Sequence, residues 1–178
     1  AALQSELHHR MATVSSMAVL ASEDISFKDI FATTTDLAKD FNGGIAFLNT
    51  DGHLIEKTGN DRFWGWESQN SRSVKLASSS SPQLVFSDPT LDPNSNQLFV
   101  IISAYSDSRD VIVAGAFSPE TLASETLTPT YPAGSHVTIY LLDNSRRILF
   151  VSGALERESL DADHPGVAEA LAGRSGVL

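Results

Sequence analysis

One stretch restricts the fold more than any other. Ile45-Ala46-Phe47-Leu48 runs into Asn49-Thr50-Asp51-Gly52, and His53-Leu54-Ile55 follows. An Asp-Gly pair between two apolar runs is a strong β-hairpin signal, because both residues accept the positive φ that suits the twist of paired strands. Three more strands are expected downstream. Leu84-Val85-Phe86 is short, and the apolar runs Leu98–Ile102 and Val111–Ala116 are joined by the polar turn Asp107-Ser108-Arg109-Asp110. Thr128 to Gly134 has the composition of a linker. After it the pattern restarts with Val137–Leu142, Asp143-Asn144-Ser145 and Arg147–Val151. This second strand–turn–strand echoes the first hairpin and reads as a weak internal repeat.

Helices frame these strands. Leu3, Leu7, Met11, Val14, Ala18 and Ala21 recur at steps of three and four, the period of a helix with one apolar stripe. That stripe suits either the domain's own sheet or a heptad seam against a second copy. Ser26 with Asp29 forms a capping box for a second helix, whose face carries Ile30, Phe31, Leu37, Ala38 and Phe41 up to Asn42-Gly43-Gly44. Ser118-Pro119-Glu120 opens a third. Asp163-His164-Pro165 opens a fourth, closed by Gly173.

Composition removes whole classes of function. The 178 residues include no cysteine, which excludes disulfide scaffolds, Cys-zinc sites and thiol nucleophiles. Asp+Glu number 22 against 12 Lys+Arg, a net charge of -10, so the surface repels nucleic acid and anionic lipid. No run reaches the ~20 apolar residues of a membrane span, and no secretory leader pattern is present. Nucleophile-elbow, phosphate-loop, dinucleotide and zinc-protease motifs are missing. Asp92-x-Asn94-x-Asn96 spaces oxygens like the start of a calcium loop, but Gln97 and Ser103 stand where such a loop needs glycine and an acid. A plain polar turn is expected there, and no metal or cofactor is expected in the chain.

The order of elements resembles the Cache family, PAS-like extracytoplasmic sensor domains of bacterial membrane receptors. The resemblance rests on four stretches. They are the Ala46–Ile55 hairpin; Arg62-Phe63-Trp64, similar to the family's Arg-x-Trp element; Phe86-Ser87-Asp88-Pro89 to Asp92, similar to its passage into the fourth strand; and His164-Pro165-Gly166-Val167 to Gly176, similar to the membrane-proximal module of double Cache receptors. It implies an α+β fold, a PAS-like antiparallel sheet flanked by a long N-terminal helix and followed by a partial second module. The expected division is a long helix over 1–25, a first, membrane-distal module over 26–127, and a linker with a partial second module over 128–178. Both ends read as cuts in a longer protein.

The resemblance also nominates a site. Arg62 presents a planar fork suited to a carboxylate, Trp64 offers an N–H and a flat wall, and Asp92 would take an ammonium. Trp66 and Tyr105 complete the candidate ligand contacts. The pattern's second aromatic and its preceding tyrosine are replaced here by Gly65 and Lys57. A purely structural role, with Arg62 on a surface carboxylate and Trp64 in the core, stays open. The expected function is ligand sensing outside the cytoplasm by a transmembrane receptor, a sensor histidine kinase foremost, with an amino acid or small carboxylate as ligand. The full receptor is expected as a homodimer, held by membrane spans outside this chain. A ligand-free dimerisation module and a small hydrolase are the alternatives.

Overall fold

A turn with the same chemistry is built twice. The computed structural model describes residues 2–59, 63–65, 76–80, 84–127, 129, 138–152 and 159–174. In the first hairpin, strands β1 (Gly44–Asn49) and β2 (Leu54–Thr58) pair antiparallel. Asn49 closes the turn: its Oδ1 accepts from the Asp51 and His53 amides, and its N–H donates to the His53 carbonyl at 2.9 Å. Gly52 supplies the positive φ of 81°. Downstream, Asp143 does the same work, its Oδ1 accepting from the Ser145 and Arg147 amides and its N–H donating to the Arg147 carbonyl at 3.1 Å. There the left-handed position, φ 68°, is held by Arg146. Both ladders slip at the same place, between Phe47 and Leu48 and between Leu141 and Leu142. The echo read from the sequence is therefore an echo in backbone construction.

The chain divides into two units, Ala1–Ser118 and Pro119–Leu178. In the first, helix α1 (Ala2–Ala21) leads, then the short helices α2 (Phe27–Thr33) and α3 (Thr35–Ala38). The sheet adds β3 (Val85–Phe86), β4 (Thr90–Asp92), β5 (Gln97–Ser106) and β6 (Val111–Phe117). Its order is β2-β1-β6-β5-β3, with β4 also on β5, and every pairing is antiparallel. β6 is buried along its whole length, as a continuous apolar strand must be. α1 packs on β5 and β6 from one side. The opposite side faces Phe63 and Trp64.

Three expectations are corrected here. The capping box is formed, with the Asp29 amide on Ser26 Oγ, but the expected second helix is broken after Thr33. The hydroxyls of Thr33, Thr34 and Thr35 each bond back to carbonyls three or four residues earlier, and Thr34 leaves helical geometry at φ -112°, ψ 18°. β-branched residues that compete for backbone acceptors interrupt a helix. β5 runs to Ser106, beyond the apolar run, because Ser103 and Ser106 are buried within it. The α1 stripe is not uniform either. Val14, Met17, Ala18 and Ala21 are buried, whereas Leu3, Leu7 and Met11 are half-buried.

The second unit holds helix α4 (Pro119–Leu127), strands β7 (Tyr140–Leu142) and β8 (Ile148–Val151), and helix α5 (Val167–Leu171). β7 and β8 form their own two-stranded antiparallel sheet. Val137, expected to start β7, lies outside the described residues.

Candidate functional site

The sheet face away from α1 is floored by small residues. Ala46 on β1 and Ala114 and Ala116 on β6 are fully buried there. Alternation along a strand sends side chains two apart to one face, so β5 contributes Phe99, Ile101, Ser103 and Tyr105. The alanines leave room for large rings above them. The turn at 63–65 fills that room: Phe63 and Trp64 are both 0% exposed. Their rings meet edge-on at 5.1 Å, and Phe63 lies 4.6 Å from Phe99. The returning chain is tied down at Ala77, whose amide donates to Ser103 Oγ at 2.9 Å.

Trp64 Nε1 is buried and has no acceptor among the described residues. A buried N–H without a partner is costly and rare in native structures.

Asp92 is 1% exposed and pairs with Gln97 at the start of β5, on the register parity of Phe99 and Ile101. Its carboxylate is occupied by its own turn. Oδ1 accepts from the Asn94 amide at 3.0 Å and from Asn94 Nδ2 at 3.1 Å, and Oδ2 accepts from Ser95 Oγ at 2.6 Å. Burial pushes this carboxyl up, but the donors of Ser95 and Asn94 outweigh it and hold it below its usual 3.8. The calcium-like spacing is thus a polar turn closed by Asp92, with Asn96 at φ 55°.

Tyr105 lies half-buried at the far end of β5, packed against the same apolar cluster. Its hydroxyl donates to Asp110 in a very short hydrogen bond, which, with burial and the charges of Asp110 and Asp107, raises the phenol to about 12. Asp92 and Tyr105 are separated along β5 by roughly 26 Å at ~3.3 Å per residue. They share a face, but one small ligand cannot span both. Arg62 and Trp66 lie outside the described residues.

Sequence reasoning passed over Ser103 and did not assign Phe63 a role. The signal for Ser103 was a hydroxyl inside an apolar run, since a buried polar group needs a partner. Among the described residues, no three His, Asp or Glu side chains converge as a metal site, and no helix is long and apolar enough to cross a membrane.

No protein-family model matches the sequence, and no curated protein sequence matches it. Solved structures do match. The ligand-binding domain of the Pseudomonas aeruginosa amino acid chemoreceptor PctC, in complex with GABA, aligns at TM-score 0.55 and 15% identity, over 84% of this chain and 71% of that one. The fold is that of a Cache-type sensory domain. The sensory domain of the Campylobacter jejuni chemoreceptor Tlp3, with isoleucine bound, aligns at TM-score 0.53 and 11% identity, over 95% of this chain and 74% of that one. PctB of P. aeruginosa, in complex with L-Gln, gives TM-score 0.53 and 14% identity over 83% of this chain and 61% of that one. In this chain the sheet presents one face to α1 and the other to Phe63 and Trp64.

Proposed function

We propose that this chain is the extracytoplasmic ligand-sensing part of a membrane receptor and binds an amino acid or small carboxylate on the Trp64 face. The observation that carries the reading is the buried Trp64 N–H without an acceptor among the described residues, on the sheet face away from α1, in a fold shared with domains in complex with GABA, L-Gln and isoleucine. A ligand carboxylate would accept from Trp64 Nε1, and Arg62, two residues earlier in sequence, would supply its charge partner. Asp92 has its oxygens engaged by its turn, so its part is to hold the β4–β5 corner. The ligand ammonium then needs an acceptor other than Asp92. In this reading the domain itself performs no chemistry, and residues 128–178 hold a linker and part of a second module of the same kind.

The receptor works as a homodimer in this reading, supported by the half-exposed Leu3, Leu7 and Met11 along α1. A histidine kinase is the output class the sequence suggested, and chemotaxis signalling is the class of the solved relatives. Fusing the domain to each output separates them.

The test is a thermal-shift screen of amino acids and small carboxylates, followed by calorimetry of hits. A ligand at 100 times its Kd adds about 2.7 kcal/mol of stability. Arg62→Ala and Trp64→Phe should each weaken a carboxylate ligand by about tenfold or more, while Asp92→Asn leaves it near wild type. Binding indifferent to both Arg62→Ala and Trp64→Phe would overturn the assignment of this face.

A further inference from the structure

The other face of the same sheet holds an opening. Where the last turns of α1 meet the end of β5, a cleft of about 560 Å³ is lined by Ser15, Ala18 and Val19 of α1, Leu84, Ser106 and Asp107, among others. Ser106 shares the parity of Ile102 and Ala104, so it belongs to the α1 side and not to the Trp64 side. The cleft lies within the first unit, at the end of β5 where Tyr105 also lines it, and Trp64 is not among its lining residues.

One buried polar group there lacks a partner among the described residues. Ser106 is 4% exposed, and its Oγ has no hydrogen bond among the described residues. A buried hydroxyl without a partner calls for an outside group that supplies one. The exposed Asp107 carboxylate and the half-exposed Ser15 hydroxyl stand at its rim. No lining residue is basic. Arg109, the nearest cation in sequence, is turned away, its Nη1 donating to the Ile25 carbonyl at 2.6 Å and its guanidinium stacked 4.1 Å over Phe27. Asp110 is engaged by Tyr105. Among the described residues the cleft therefore combines a carboxylate with no basic lining residue beside it, one buried hydroxyl without a partner, and an apolar wall of Ala18, Val19 and Leu84.

We propose that this cleft is a second small-molecule site, taking a primary ammonium on a short apolar stem. The ammonium, with three donors and no acceptor, pairs with the Asp107 carboxylate and donates to Ser106 Oγ and Ser15 Oγ. The stem lies along Ala18, Val19 and Leu84. A carboxylate would meet Asp107 as a like charge, and an uncharged alcohol would leave Asp107 without a partner. The selectivity is thus the reverse of that proposed for the Arg62 side.

The probe is butylamine, with butyrate and 1-butanol as anionic and neutral counterparts, titrated into the labelled domain and followed by amide NMR. Butylamine should give saturable shifts at Ser15, Ala18, Val19 and Ala104 to Ser108, with the Trp64 indole signal unmoved. Asp107→Asn should weaken it by about tenfold or more, and Asp107→Lys should abolish it and admit butyrate. Asp107 is exposed on a turn, so both variants should keep the wild-type spectrum elsewhere. The proposal is overturned if these amides do not respond, if 1-butanol or butyrate binds as tightly as butylamine, or if the same shifts appear on concentrating the protein alone. The last result would make the cleft a contact between copies.

Discussion

Two buried charges show what a single residue can settle in this fold and what a sequence hides. Arg10 falls on the α1 stripe between Leu7 and Val14, where an apolar side chain is expected, and is 3% exposed. It is tolerated because Nε and Nη1 both find acceptors and the plane covers a ring. Nε donates to the Asp40 carbonyl at 3.0 Å, Nη1 reaches Glu6 Oε2 at 3.1 Å, and the plane lies 5.5 Å over Phe117. None of these partners is marked by local spacing except Glu6, so the role was not legible. The resemblance assigns Asp92 a ligand to hold, whereas its nearest donors are two and three residues away. Its pH signature follows. The folded carboxyl titrates below its ordinary 3.8, so its stabilisation is fully present above that value. It is lost as pH falls through the lower folded value. Asp92→Asn should lower the urea midpoint at neutral pH and flatten the loss of stability below about pH 3.8. A variant whose acid limb retraces wild type would mean another carboxylate causes that limb.

Elements were legible where their signals were local. Both hairpins announced themselves because an Asx residue, a polar turn and flanking apolar runs are contiguous. The break at Thr33–Thr35 was missed because three threonines fit a helical period while their hydroxyls bond back to the helix's own carbonyls. The paired hairpins yield a direct test. Gly52 takes φ 81° without penalty, whereas Arg146 holds φ 68° in the equivalent position. A non-glycine residue there costs roughly 1–2 kcal/mol, offset in part by glycine's entropy of about 0.5–1 kcal/mol. Arg146→Gly should therefore stabilise the domain slightly and Gly52→Ala destabilise it, read as shifts in the denaturation midpoint. Equal losses for both would show that the two turns are not built alike. α1 offers a second contrast. Met17 is 0% exposed against the sheet, so Met17→Ala should cost about 2–5 kcal/mol. Leu3→Ala, at a half-exposed position, should cost far less and act instead on self-association measured by sedimentation. A large stability loss from Leu3→Ala with no change in association would place the whole stripe in the monomer's core.

The whole first unit is organised by one strand that serves two faces. β5 turns Phe99, Ile101 and Tyr105 toward the Trp64 side and Ile102, Ala104 and Ser106 toward α1. Its end is also fastened to the helix connection. Ser108 Oγ donates to the Ser22 carbonyl at 3.1 Å, Arg109 Nη1 donates to the Ile25 carbonyl, and Arg109 covers Phe27. Tyr105, from the opposite face, holds the same turn through Asp110. A ligand on the Trp64 side can act on α1 only if it prefers one of two arrangements of this joint, since equal affinity for both moves nothing. The joint is also a contiguous physical connection that can be cut. With an amino acid bound, amides from Thr13 to Ala21 of α1 should exchange more slowly with solvent. Arg109→Ala should leave the ligand's Kd near wild type, because Arg109 faces Ile25 and Phe27, yet remove most of that added protection. If protection of α1 rises equally in wild type and Arg109→Ala, the β5–β6 turn is not the connection, and the direct packing of Ile102 and Ala104 on the helix carries the coupling.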